Sequence, residues 1–476
     1  MKSYKFKTSG KTRVEHDLLG EKQVPEEALF GIQTLRCIEN FDISRQLLAD
    51  HPTFIKALGI VKMGAIKANN QLGLVSDEIR DAVTQACQEL IDGKHHEHFP
   101  IDLVQGGAGT SVNMNANEVI ANRALEIMGK ERGDYQHCHP NDHVNMAQST
   151  NDAYPTAMHL GLYLLHDEVK SALQNLIGAF EKKTKEFADV IKMGRTQLQD
   201  AVPMTLGQSF GAFADALKNE LRRLNKVSQE YLVINMGATA IGTGITAEPG
   251  YAELCTKYIK EITGWDITLA ENLVEATHDT SSMVAYSSSL KMLAIRLSKI
   301  CNDLRLMSSG PRAGLNEINL PPRQPGSSIM PGKVNPVIPE VVNQVCYKVI
   351  GNDLTVAMAS EAAQLELNVM EPVLVQCIIE SSTWMMRACN TLREECVDNI
   401  TANAEHCRNV VEHSIGIVTA LKPYIGYSNC TQIAKEALKT GGSVYQLVLD
   451  KKLLTKEQLD TILDPKHMIM PTKIDL

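Results

Sequence analysis

Apolar side chains recur along the middle of this chain at helical spacing. Met283, Tyr286, Leu290, Leu293, Leu297, Ile300, Leu304 and Met307 step alternately by three and four residues, an unbroken heptad stripe. A second stripe runs Phe210, Phe213, Leu217, Leu221, Leu224 and Tyr231, with Val227 between the last two. A third runs Leu162, Leu165, Val169, Leu173, Leu176, Phe180, Phe187 and Ile191. Pro155 is read in the first turn of that third helix, where a missing N–H costs nothing. Helices this long span roughly 40–60 Å at 1.5 Å per residue. They need long partners, so the pattern predicts a mainly α fold built on a bundle of long, near-antiparallel helices. One subunit would leave part of such apolar seams uncovered, so an oligomer is expected. A single helical domain packed on its own flanks stays open as the alternative.

The flanks read differently. Residues 1–147 mix loops with shorter helices, and from 404 onward short segments are separated by Pro423, Gly426, Gly441 and Gly442. The division expected is therefore 1–147, 148–403 and 404–476. Aromatic residues make up only 5% of the chain, which leans the reading away from sheet. Lys plus Arg total 47 against 56 Asp plus Glu, a net charge of −9. With no basic run, nucleic acid is excluded as a partner class, and a small molecule or another protein chain is favoured. No stretch of 18 apolar residues occurs, so no membrane span is expected. Met1-Lys-Ser-Tyr-Lys-Phe-Lys7 is basic with no apolar run behind it, so no secretory signal is expected. The 11 cysteines are scattered singly with no Cys-x-x-Cys pair, which reads as reduced, buried thiols in a cytoplasmic protein.

Four polar clusters interrupt the helical background. In Gly106-Gly-Ala-Gly-Thr-Ser-Val-Asn113, glycines precede Thr110, Ser111 and Asn113. Such a segment offers backbone N–H groups and neutral donors to an anion. It would serve equally as a glycine turn with a helix cap. In the second, Ser149, Thr150 and Asn151 stand at a helix entrance, where the dipole attracts carboxylates. A simple cap is again the alternative. The third, Gly194-Arg-Thr-Gln-Leu-Gln-Asp-Ala-Val-Pro203, falls in a break between two long helices; Thr196, Gln197 and Gln199 either face a cavity or satisfy the loop. The fourth runs from Ser308 to Pro336 and is rich in Pro and Gly. Long irregular loops in compact proteins usually carry function. This one would set Ser327, Ser328, Lys333 and Asn335 around one small acid, with Gly326 and Gly332 as hinge points of a lid.

Two rivals fail on spacing. A Walker A loop needs four residues between its glycines and Ser or Thr after the Lys. Here five residues separate Gly326 from Gly332, and Val334 follows Lys333. His137, Cys138, His139 and His143 match no common zinc pattern, and His95-His-Glu-His98 is read as a solvated loop.

Gly326-Ser-Ser-Ile-Met-Pro-Gly-Lys-Val-Asn335 resembles the signature loop of the fumarase/aspartase superfamily. The other three clusters resemble that family's remaining active-site segments, in the same chain order. Within it, Gly314-Leu-Asn-Glu-Ile-Asn-Leu-Pro321, Pro336-Val-Ile-Pro-Glu-Val-Val-Asn-Gln-Val-Cys346 and Gln364-Leu-Glu-Leu-Asn-Val-Met-Glu-Pro372 resemble the aspartase branch. Gln197 stands where fumarases carry His.

The resemblance implies a three-domain subunit whose long helices pack, in a homotetramer, into a twenty-helix core with active sites shared among three chains. It implies reversible deamination of L-aspartate to fumarate through an enediolate, without metal or other cofactor. Ser327 matches the family's general base. Thr110, Ser149, Thr150 and Ser328 match its β-carboxylate ligands, with Ser111 beside them. Lys333 and Asn335 match the α-carboxylate clamp, and Asn151 and Thr196 lie near the leaving amino group. The alternatives are a fumarate hydratase on the same fold and a non-catalytic relative. The latter should have lost its base or clamp, and Ser327, Lys333 and Asn335 are all present.

Overall fold

The structure, a computed structural model, describes residues 6–472 and 474. It is mainly helical, and among the described residues the strands form only two-stranded sheets. The long helices are Thr150–Glu186, Leu206–Val227, Ser281–Met307, Val337–Glu361 and Glu371–Glu395. Every residue of the stripe from Met283 to Met307 is buried, as its spacing requires. All eleven cysteines are buried and free. Among the described residues, no helix is long and apolar enough to cross a membrane.

The chain divides into two compact units. The first holds residues up to Lys170, Arg222–Met292 and Tyr347–Met386. Its helix Pro52–Gln71 packs against the helices Asp77–Ile91 and Tyr251–Thr263. That helix is apolar on almost every side, and Phe54, Ile55, Leu58, Val61, Ala65 and Ile66 are all buried. A helix buried all round must come from the interior of the unit. The helix Thr110–Ile127 packs beside Asp77–Ile91.

The second unit holds Ser171–Leu221, Leu293–Cys346 and the chain from Arg387 onward. Here Phe180, Phe187, Phe210 and Phe213 interlock, their ring centroids 5.2–6.0 Å apart. A second core joins Ile191 and Met193 to Val411, Ile417, Leu421 and Ile433 of the C-terminal helices.

Two local expectations are corrected. The third stripe leaves its helix early: the helix ends at Glu186, so Phe187 and Ile191 are buried from outside it. Pro155 is the sixth helical residue, past the first turn. Its missing N–H leaves the Asn151 carbonyl without the usual i+4 donor. Asn235 Nδ2 fills that role, donating to Asn151 O at 3.1 Å.

Candidate active site

The glycine segment of the first unit winds through three consecutive left-handed residues, Gly107, Ala108 and Gly109, and Gly109 caps the helix Thr110–Ile127. Gly109 has a second reason to lack a side chain. A Cβ there would lie 2.5 Å from the Tyr154 ring, so this glycine lets the first cluster close on the helix that carries the second. Thr110 is exposed and donates to the Gly107 carbonyl at 2.8 Å; Ser111 is half-buried.

Ser149, Thr150 and Asn151 open the helix Thr150–Glu186, and all three are half-buried. Ser149 Oγ accepts the Asn151 N–H at 3.2 Å, and Asp152 Oδ1 accepts the Ser149 N–H at 3.0 Å. Asp152 Oδ2 accepts the N–H groups of Gly237 and Thr239, and Asn151 Nδ2 donates to the Ala240 carbonyl at 2.8 Å. Burial pushes the Asp152 carboxyl up to about 6, against the opposing pull of those N–H donors. Asn113 Nδ2 donates to Thr150 Oγ1 at 3.3 Å, so the first two clusters meet through side chains. Beneath them lies Lys62, fully buried, its Nζ donating to Asn113 Oδ1 at 2.6 Å, Gln148 Oε1 at 2.8 Å and Asn145 Oδ1 at 3.1 Å. Burial pulls its ammonium down to about 7.

The third cluster falls, as expected, in the break between the helices Thr150–Glu186 and Leu206–Val227, and in the second unit it forms a β-hairpin rather than a loose loop. Ile191–Thr196 pairs with Gln199–Thr205, and the turn is the two residues Gln197 and Leu198. Both have positive φ, 55° and 61°, as a tight primed hairpin turn requires. Neither is the glycine or asparagine that such a turn prefers, so the tip stores backbone strain, a feature that clusters at functional sites. Thr196 and Gln197 are both exposed at this tip.

The hairpin is tied to the fourth cluster by a buried acid. Glu317, 2% exposed, pairs with Lys192 at 2.7 Å and Arg195 at 2.5 Å. Removing one member of a buried ion group leaves the others uncompensated. Glu317→Gln is therefore expected to destabilise the protein by about 3 kcal/mol. A denaturant titration checks this, and an unchanged midpoint would refute it.

The signature loop lies wholly outside helix, between Met307 and Val337. Its neck is closed by the Gly326 N–H donating to the Lys333 carbonyl at 2.7 Å and by Asn335 Nδ2 donating to the Gly326 carbonyl at 2.8 Å. A Cβ on Gly326 would sit 2.6 Å from that same Lys333 oxygen. Gly326 is thus needed for close approach rather than as a hinge, whereas Gly332 has φ +80° and open space around it. Ser327 is half-buried, and its Oγ accepts N–H groups from Ile329 at 3.2 Å and Met330 at 3.1 Å. Ser328 and Lys333 are exposed, and Asn335 is half-buried.

Each unit therefore brings two clusters together: the first and second through Asn113 and Thr150, the third and fourth through Arg195 and Glu317. Reading the sequence missed Lys62, Asn145, Gln148 and Asp152. For Lys62 a signal existed, a lone cation inside the apolar run Ala57-Leu-Gly-Ile-Val-Lys-Met-Gly-Ala-Ile66. The histidine tract is not simply a solvated loop either. His98 is buried, its Nδ1 accepting the Leu29 N–H at 3.3 Å, and it gathers with His95 and Glu97 so that one ligand-type atom from each lies within 4.8 Å of the others.

The family described as "Lyase" matches residues 20–351, and "Fumarase C C-terminus" matches 417–470. The chain is 57% identical to the aspartate ammonia-lyase of Pseudomonas aeruginosa, over 98% of each. It is 52% identical to that of Escherichia coli, over 97% of each. Among solved structures, a fumarate lyase:delta crystallin from Brucella melitensis bound to cobalt aligns with a TM-score of 0.94 and 54% identity, over 97% of this chain and all of that one. A class II fumarase from Schistosoma mansoni aligns at 0.91 and 33% identity, with the same coverage.

Proposed function

The chain belongs to the lyase family whose members include aspartate ammonia-lyases and a class II fumarase, and on that premise we propose that it deaminates L-aspartate reversibly to fumarate and ammonia. The observation that carries the chemistry is the setting of Ser327. A free serine hydroxyl is far too weak a base to take a carbon-bound proton. Here Oγ already accepts two backbone N–H groups, and donors aimed at an oxygen favour its charged form. Ser327 as alkoxide removes the Cβ proton, and the electron pair moves into the β-carboxylate as an enediolate. That pair then forms the carbon–carbon double bond, and the C–N bond breaks with its electrons leaving on nitrogen as ammonia. The proton held by Ser327 passes to solvent, which restores the base.

The enediolate carries two negative charges where one was, so preorganised donors supply most of the rate. In this reading Ser149, Thr150 and Ser328 surround the β-carboxylate, and Thr110, with Ser111 beside it, joins them by turning its hydroxyl hydrogen from the Gly107 carbonyl. Lys333 and Asn335 hold the α-carboxylate. One Asn335 N–H is engaged at the loop neck, and the amide has a second to offer. Asn151 and Thr196 flank the amino group. The scheme calls for no metal or other cofactor.

We further propose a three-domain subunit, divided as 1–147, 148–403 and 404–476, in a cytoplasmic homotetramer whose sites draw on three chains. Support comes from the helix Val337–Glu361, where Tyr347, Leu354 and Met358 are 58%, 64% and 65% exposed. They follow one another by seven and four residues, a single apolar face that a second copy would cover.

Growth of fumarate absorbance from L-aspartate, run beside an L-malate assay, tests the function. No fumarate from aspartate would overturn it. Lys333→Ala is expected to raise KM for aspartate about 10–100-fold, the scale of one charged hydrogen bond, with a smaller change in kcat. Steady-state kinetics checks the split; an unchanged KM would remove Lys333 from the clamp.

A further inference from the structure

Three amide oxygens surround the Nζ of Lys62, from Asn113, Asn145 and Gln148. An ammonium has three hydrogens and no lone pair, so three acceptors saturate it. A neutral amine would set its lone pair against one of those carbonyls. The acid facing it is Asp152 of the helix Thr150–Glu186; Cys87 and Cys255, from two further helices, are held as neutral thiols by burial.

A donor-only neighbour has a consequence for the amides. Asn113 must turn Oδ1 toward Lys62, and its Nδ2 then faces the other way. That Nδ2 donates to Asn145 Oδ1 at 3.0 Å and to Thr150 Oγ1 at 3.3 Å. A hydroxyl that accepts on its inner side has its own hydrogen free for the outer side. The same logic orients Gln148, whose Nε2 donates to the Val144 and Met146 carbonyls and so holds the segment leading into Ser149.

We propose that Lys62 is a positioning residue for dicarboxylate binding, which through Asn113 makes Thr150 a hydrogen-bond donor toward the substrate carboxylate. The proposal rests on the reading of Thr150 as a carboxylate ligand. Without Lys62, nothing holds Asn113 Oδ1 inward, and only the Nδ2 contact to Asn145 Oδ1 opposes a flip of the amide. Its oxygen would then capture the Thr150 hydroxyl hydrogen and turn the site from donor to acceptor.

Three variants of the full-length enzyme test this, read by aspartate kinetics, competitive inhibition by succinate, and thermal midpoint. Lys62→Met is expected to raise both KM and the succinate inhibition constant by about tenfold or more, the worth of one hydrogen bond to a charged group. The double variant Lys62→Met/Asn113→Leu removes the competing acceptor, and it should recover most of that loss. Asn113→Asp retains a partner for Lys62 and so keeps the fold. Its new carboxylate offers Thr150 no N–H, and binding should weaken by about the same factor. If Lys62→Met does not fold, Asn113→Asp carries the test alone. Wild-type KM in the folded single variants, or a loss shared by kcat and KM that the double variant does not recover, would overturn the proposal. A wild-type enzyme that neither deaminates aspartate nor binds succinate would overturn the functional reading, and this inference with it.

Discussion

Ser327→Ala is expected to lower kcat on L-aspartate by about 10²–10⁴-fold or more, the range for losing a positioned base, while KM stays within a few-fold. Three features of the site bear on this. Ser327 Oγ accepts two backbone N–H groups, and neither Ile329 nor Met330 could replace it as a base, having no titratable side chain. The loop neck is closed by backbone and Asn335 contacts that alanine does not touch, so the loop's anchorage should survive. The proposed carboxylate ligands lie on other residues, so ground-state binding should survive as well. Fumarate absorbance gives kcat and KM, and succinate inhibition reports the clamp independently. Near-full activity in the variant would mean that another residue takes the proton.

L-Malate should be dehydrated more slowly than L-aspartate is deaminated, by several orders of magnitude, about 10³-fold or more. Both substrates would share the proposed carboxylate clamp, so discrimination would come from the leaving-group side, near Asn151, Thr196 and Gln197. Hydroxide is a poor leaving group and needs a proton delivered as the C–O bond breaks. An ammonium leaves as neutral ammonia and needs less help. Gln197 holds the hairpin tip with an amide that cannot titrate, at the position where the family resemblance implies a histidine in fumarases. Its backbone is committed to positive φ by the two-residue turn, so its place at the tip is set by the hairpin rather than by chance of a loose loop. Side-by-side assays decide the matter. Comparable rates on the two substrates would restore the hydratase reading.

What was legible in the sequence follows from how local each signal is. A heptad stripe encodes one buried face directly, and all eight residues from Met283 to Met307 are buried. The Pro- and Gly-rich run around Ser327 announced itself as irregular because neither residue sustains a helix, and it separates two helices as expected. The exposed tip at Gln197 was less legible. Gln and Leu carry no turn signature, and only pairing of Ile191–Thr196 with Gln199–Thr205 forces them into one.

The sequence by itself determined the helical class, the long stripes and the polar segments that interrupt them, because spacing of 3.6 residues and Pro/Gly chemistry act within a few positions of the chain. Tertiary structure alone decided that Lys62 would meet Asn113, Asn145 and Gln148, residues 51 to 86 positions away. It alone decided that Glu317 would pair with Arg195 across 122 positions, and that Asn235 would answer the carbonyl stranded by Pro155. A buried charge or an orphaned carbonyl specifies that a partner must exist, since leaving it unpaired costs several kcal/mol, on the order of 2–7 for a polar group. It does not specify which distant segment supplies that partner; only the packing that brings the segments together does.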